Sequence, residues 1–248
     1  ALGQVSAALS ALQSAMASIS DGSAFSAHSV SSSDTTILNA TATGSAVAGS
    51  YKIEVTQLAS ALKASSGAFT GSSTTVGTGT LTIAVGGQTM NLSIDGSNNS
   101  LASIRDAINK ASDNPGVSAT IVNGTDGAHL VLSGTRTGAA NGFTVSSSGG
   151  DGGLAALNYD ASAGSGNNLT VITAASDALY TIDGLAANSA GNSISTAIDG
   201  LTLNLSTLGT STVSVANDPS KATSALTNLV NTYNSFVGIY QNLTKYDA

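Results

Sequence analysis

The sequence has no cysteine and no tryptophan, and only 8% of its 248 residues are charged. Without cysteine there is no disulfide scaffold and no thiolate metal site. Ordinary soluble domains carry roughly 25% charged residues, so Ser, Thr, Gly, Asn and Ala must form much of this surface. Lys and Arg together number seven, thinly spread, against fourteen Asp and Glu, for a formal charge of −7. No basic patch is available to neutralise phosphates, which argues against a nucleic-acid partner. No apolar run reaches about 18 residues, so no membrane-spanning helix is expected. No basic segment followed by an apolar one opens the chain, so export without a cleaved signal peptide is expected. The chain starts at Ala1 without a Met and reads as a fragment of a longer protein.

Constellations that carry catalysis are missing too. There is no G-x-S-x-G elbow and no phosphate loop ending in Gly-Lys-Ser/Thr. Gly77-Thr78-Gly79 precedes a strand pattern, whereas a dinucleotide loop follows one. The two histidines, His28 and His129, lie about a hundred positions apart, His28 in a Ser-rich connector where solvation is expected. A metal site would require them to converge with a carboxylate. Glu54 is the sole Glu, and Asp residues recur in turn pairs: Asp95-Gly96, Asp126-Gly127, Asp183-Gly184 and Asp199-Gly200. Asp favours turns because it bonds its own backbone and tolerates the left-handed region. Gly149-Gly150-Asp151-Gly152-Gly153 lacks the spacing and repetition of a calcium-binding nonapeptide. No enzyme, catalytic residue, cofactor or metal is expected.

What is present is hydrophobic patterning, in 41% of the residues. Leu2, Val5, Leu9, Leu12, Met16 and Ile19 step by 3, 4, 3, 4 and 3, a heptad seam with helix-favouring Ala between. Asp21-Gly22-Ser23 then stops the helix. Ala222, Leu226, Leu229, Tyr233, Phe236, Tyr240 and Leu243 repeat the pattern near the other end, after a cap at Asp218 and Pro219 at the first helical position. Short helices are marginal alone in water. Pairing the two seams hides both, which predicts a leg of paired N- and C-terminal helices.

Between the legs the period falls to two. Tyr51, Ile53 and Val55 alternate with Lys52 and Glu54; Leu81, Ile83 and Val85 form a second strand that Gly86-Gly87 turns into Met90, Leu92 and Ile94. Ser100 caps a short helix with Leu101, Ile104 and Ile108 on one face, and Asn114-Pro115-Gly116 breaks the chain. Strands follow at 117–121 and 130–132, with Phe143 and Val145 expected to close their sheet. The Gly-, Ser- and Asn-rich stretch 149–168 reads as a linker. Strand patterns return at 169–172, 180–182, 201–205 and 213–215, and the strand at 51–55 is their expected partner. The expected class is α+β: a mostly β head of two small domains, one inserted in the other, on paired helical legs. The expected divisions are 1–45 (N-terminal leg and connector), 46–73 and 171–217 (the two parts of the first head domain), 74–170 (the inserted domain) and 218–248 (C-terminal leg).

Several stretches, in order along the chain, resemble the flagellar filament cap proteins, the hook-associated protein 2 family. They are Tyr51-Lys52-Ile53-Glu54-Val55-Thr56-Gln57-Leu58-Ala59, Gly77-Thr78-Gly79-Thr80-Leu81-Thr82-Ile83, Leu101-Ala102-Ser103-Ile104-Arg105-Asp106-Ala107-Ile108-Asn109 with Gly116-Val117-Ser118-Ala119, and Leu130-Val131-Leu132-Ser133 with Thr137-Gly138. Downstream come Asp177-Ala178-Leu179-Tyr180-Thr181-Ile182-Asp183-Gly184, the run from Asn192 to Leu203, and Leu243-Thr244-Lys245-Tyr246-Asp247. The resemblance implies an extracellular homo-oligomeric ring at the distal tip of the bacterial flagellum. Such a cap promotes insertion and polymerisation of exported flagellin and prevents its loss. It also implies flagellin and a hook-associated junction protein as partners, with host mucin as a secondary one. The alternatives are a filament-junction structural protein or an adhesin head that binds mucus glycans. Family members extend beyond both ends of this sequence.

Overall fold

The computed structural model describes residues 2–22, 24–163 and 165–244. Two helices and two β-rich units follow from the pattern of the sequence. Helix α1 spans Leu2–Ser20 and stops before Asp21-Gly22; Ser23 lies outside the described residues. Strands β1 (His28–Ser32) and β2 (Leu38–Ala42) come next, in the segment expected to be a connector. They are strands because each turns every second residue inward onto a partner: β1 pairs with the strand Gly209–Asn217, and β2 with the strand Leu201–Leu205. The expectation for 1–45 is corrected accordingly: its second half belongs to the head.

The remaining strands, in chain order, are β3 (Gly49–Gln57), β4 (Lys63–Ser65), β5 (Gly79–Val85), β6 (Gln88–Ile94), β7 (Val117–Asn123), β8 (Ala128–Gly134) and β9 (Phe143–Ser148). Then come β10 (Thr170–Thr173), β11 (Ala178–Ile182), β12 (Leu185–Ser189), β13 (Ser193–Ile194), β14 (Leu201–Leu205) and β15 (Gly209–Asn217). Helix α2 (Leu101–Lys110) separates β6 from β7, and α3 (Pro219–Thr244) closes the described chain.

The first head unit packs a five-stranded antiparallel sheet, ordered β1-β15-β3-β11-β12, against a three-stranded one, β13-β14-β2. The alternation in β3 places Ile53 and Val55 inside, beside Leu38, Tyr180, Leu203 and Val213. β3 does partner β11 and β15, as the sequence suggested. Asp183 and Gly184 both have positive φ (51° and 86°), so β11 and β12 are joined by the tight turn that matches strand twist. The Asp183 carboxylate also accepts the Lys52 N–H at 2.8 Å, tying that turn to β3.

The second unit has a four-stranded sheet, β10-β4-β8-β7, a three-stranded sheet, β6-β5-β9, and α2. Its core gathers Leu81, Ile83, Met90, Leu130, Leu132 and Phe143 with Leu101, Ile104 and Ile108 of α2. Burying each such side chain contributes about 1.5–3 kcal/mol. The Ser100 hydroxyl caps α2 by accepting the Ser103 N–H at 3.1 Å. Asn114 then fixes the exit: its amide donates to Ile108 and Val117 carbonyls, each at 2.8 Å, and accepts Gly116 and Val117 N–H groups at 2.9 and 2.8 Å.

Four expectations differ from this unit. The inserted core begins before residue 74, because β4 pairs with β8 and buries Ala64 alongside Leu62. At its other end, β10 pairs with β4 rather than with the 51–55 strand. Phe143 and Val145 join β5 rather than the sheet containing β7 and β8. The stretch 149–168 is more than a linker: a short helix, Gly153–Leu157, drives Leu154 and Leu157 into the core, and Tyr159 follows. Tyr159 meets Phe143 edge-to-face with ring centroids 6.0 Å apart, a favourable aromatic geometry.

Candidate functional site: the paired legs

The head brings the helices together. His28 pairs with Asn217 across β1 and β15, and the Asp218 N–H donates to the Ala27 carbonyl at 2.9 Å. Helix α1 therefore runs toward this corner and α3 away from it. Asp218 caps α3: its carboxylate accepts the Ser220 N–H at 2.9 Å, and Pro219 occupies the position that needs no donor. Bonds from the Ser220 hydroxyl and N–H hold the Asp218 carboxyl below the usual carboxylate range.

Coverage on α1 recurs at Val5, Ala8, Leu12, Ala15 and Ile19. On α3 it recurs at Ala222, Ala225, Leu229, Thr232, Phe236 and Ile239. Both sets alternate steps of 3 and 4, the signature of a two-helix seam. Small residues recur in each, Ala8 and Ala15 on α1 and Ala222, Ala225 and Thr232 on α3, and Ala15 is only 4% exposed.

The expected leg residues divide between two faces. Val5, Leu12, Ile19, Leu229 and Phe236 are half-buried on the seam. Leu9, Met16, Leu226, Tyr233, Tyr240 and Leu243 are exposed, Met16 at 56% and Tyr233 at 55%. The side chain of Leu2 lies outside those described, as do Lys245, Tyr246 and Asp247. The seam is rotated by one residue at alternate positions, because a small Ala or Thr packs where helices touch and the bulkier neighbour is displaced outward. Sequence reasoning missed Ala8, Ala15, Ala225, Thr232 and Ile239. Only Ile239, an apolar residue three after Phe236, carried a usable signal.

The displaced side chains and Val230 form an uncovered apolar row. Leu12, Met16, Leu229, Val230 and Tyr233 line a cleft of about 400 Å³ between the helices. Charge is nearly absent: Leu2–Ser20 contains none, and Pro219–Thr244 contains only Lys221. A surface of this chemistry recognises other surfaces by apolar burial and shape. The flanking charges that set partner choice in many coiled coils are missing.

The other candidates fall elsewhere. His28 is not in a solvated connector. It begins β1, half-buried, with a buried Nδ1 that has no hydrogen-bond partner among the described residues. His129 lies on β8 of the second unit. Among the described residues no cluster of three or more His, Asp or Glu side chains is placed to hold a metal. No described helix is long and apolar enough to cross a membrane.

Residues 1–62 match the flagellar hook-associated protein 2 N-terminus, residues 175–248 its C-terminus, and residues 80–136 the flagellin hook IN motif. The two terminal matches hold the legs and the first head unit; the third holds β5 to β8 and α2. The chain is 36% identical over 260 residues to the B-type flagellar hook-associated protein 2 of Pseudomonas aeruginosa, covering 99% of this chain and 53% of that protein. It is 40% identical over 256 residues to the flagellar hook-associated protein 2 of Escherichia coli, covering 100% of this chain and 54% of that protein. The chain thus spans about half the length of these relatives. Among solved structures it resembles the D1-D2-D3 domains of the flagellar cap protein FliD from Escherichia coli, with a TM-score of 0.90 at 38% identity over 98% of this chain and 70% of that one. FliD from Pseudomonas aeruginosa gives a TM-score of 0.74 at 32% identity, covering 86% of this chain and 98% of that one. With both helices, both head units and their order along the chain matched in this way, the chain belongs to the flagellar hook-associated protein 2 family.

Proposed function

We propose that this chain is the leg-and-head portion of a structural cap at the distal tip of the bacterial flagellar filament. The cap promotes insertion of exported flagellin and prevents its escape. The observation that carries this reading is the likeness, over nearly the whole chain, to a protein described as a flagellar cap. The partners proposed are further copies of the same chain and flagellin. The uncovered apolar row on the legs supports that part, since Leu9, Met16, Leu226, Tyr233 and Tyr240 would gain from burial against a neighbouring helical surface. The head suits exposure to medium: its weakly charged, hydroxyl-rich surface offers little for nonspecific adhesion.

Deletion of the gene tests the proposal. Cells lacking the protein should grow short or no filaments and shed monomeric flagellin into the medium, and the full-length gene supplied in trans should restore filaments. Filaments of normal length in the deletion strain would overturn it.

A further inference from the structure

The chain crosses between the two head units twice, outward near residues 58–62 and back near 173–177. Alone, these crossings form a thin ribbon. Ser60 N–H donates to the Ser176 carbonyl at 2.9 Å, Ser176 N–H donates back to Ser60 at 3.1 Å, and the two hydroxyls lie 2.8 Å apart. A ribbon of this width bends and twists, and units of one chain move relative to each other unless an interface holds them.

Two loops, one from each unit, close on the ribbon. From the first unit, the segment after β12 brings Asn192, whose amide oxygen accepts the Ala59 N–H at 2.8 Å while its NH₂ donates to the Ala59 carbonyl at 2.9 Å. From the second unit, the segment after β8 brings Thr137, Gly138 and Ala139. Thr137 Oγ1 donates to the Ala190 carbonyl at 2.7 Å, and Gly138 N–H donates to the Ser60 carbonyl at 3.1 Å. Asp177 joins both sides: one carboxylate oxygen accepts the Ala139 N–H at 2.8 Å and the other accepts from the Asn188 amide at 3.3 Å. The loops touch so closely that a Cβ on Gly138 would lie 2.7 Å from that of Ala190, and Gly138 has a φ of 107° that favours glycine.

We infer that this polar clasp, centred on Asp177 and Asn192, sets the orientation of the inserted unit on the first and makes the head one rigid body. The residues in contact are small or polar, so directional hydrogen bonds specify the angle where apolar burial would tolerate sliding. Asn192 is specified by its chemistry: only a side chain with both a donor and an acceptor satisfies both backbone groups of Ala59. The inference concerns the head alone and is independent of the cap reading.

Residual dipolar couplings of backbone amides in a weakly aligned sample test it on the whole chain. In the wild type, amides of the two units (Ile53 and Val213 against Leu81 and Leu132, for example) should fit one alignment tensor. In the double variant Asp177→Ala, Asn192→Asp they should require two tensors of different magnitude, while amide shifts within each core stay native. Gly138→Ala, which forces the loops apart without removing a side-chain bond, should loosen the head in the same way. Two tensors in the wild type would overturn the inference without any variant, and so would one unchanged tensor in folded variants.

Discussion

Asp126 accepts a bond from the Nε2 of His129 at 2.9 Å, while the other ring nitrogen of His129 faces the Ser66 carbonyl, also at 2.9 Å. Both partners are acceptors, so only the imidazolium can donate to both; the neutral ring donates once. The Asp126 bond first, then the Ser66 bond, raises the His129 pKa from its ordinary 6.5, and the same His129 bond lowers that of Asp126. The sign follows from linkage. A raised histidine value gives stability that is fully present below 6.5 and lost as pH rises through the folded value. The lowered Asp126 value gives stability present above its ordinary 3.8 and lost as pH falls through the folded value. Wild-type chain should therefore lose stability relative to His129→Gln as the pH is raised from 6.5 through the folded value of His129. Urea denaturation at each pH measures it; parallel curves for the two proteins would contradict it.

Asn114 makes four hydrogen bonds at the exit of α2. Asn114→Ala leaves two backbone carbonyls and two N–H groups without that partner, and should cost about 1–3 kcal/mol of stability. Asn114→Asp keeps the acceptor and loses both donations, so its loss should be partial. Chemical denaturation of the three proteins orders them.

The two faces of the leg should respond differently. Ala15→Leu inserts three carbons where α1 meets α3 and should cost about 1–3 kcal/mol by overpacking. Met16→Ser, one position on, should change the stability of the isolated chain by no more than about 0.5 kcal/mol. It should weaken association of the full-length protein, read by analytical ultracentrifugation. Equal effects of the two on helix stability would contradict the observed seam.

Two glycines should give opposite signs. Gly200 has a φ of 75°, and a Cβ there would run into the backbone of Ser45 and Ala46, so Gly200→Ala should destabilise the chain by about 1–3 kcal/mol. Gly238 lies within α3 with nothing near the site of a Cβ, so Gly238→Ala should stabilise the helix by about 0.5–1 kcal/mol. Thermal unfolding followed by circular dichroism separates the two.

The α+β class, the insertion of one head unit in the other and the paired helices were all legible, because each rests on a strong local period. Ile53 and Val55 in β3, or Ile104 and Ile108 behind the Ser100 cap, leave few alternatives. What was illegible has physical reasons. The segment holding β1 is mostly serine, and its strand exists because β15 supplies a partner from the far end of the chain. In 149–168, Leu154, Leu157 and Tyr159 are too few to show a period, and tertiary packing alone puts them inside. On the legs, the apolar stripe is wider than the contact two helices make. Two registers fit the spacing, and the structure selects the one with the smaller residues, as at Ala15 over Met16.

The pairing of His28 with Asn217 has a mechanical side. Both legs meet the head at the same corner, α3 one residue after β15 and α1 seven residues before β1, and β15 is also bonded to β3 from Gly209 to Val215. Hydrogen bonds between antiparallel strands lie across the strand axis. A pull directed down the legs loads the β15–β3 bonds in shear, many at once. A force that splays the legs apart opens the β1–β15 ladder from its end, one rung after another, starting at His28. The head is thus stiff against axial load and compliant against sideways spreading, a directional response set by strand order alone.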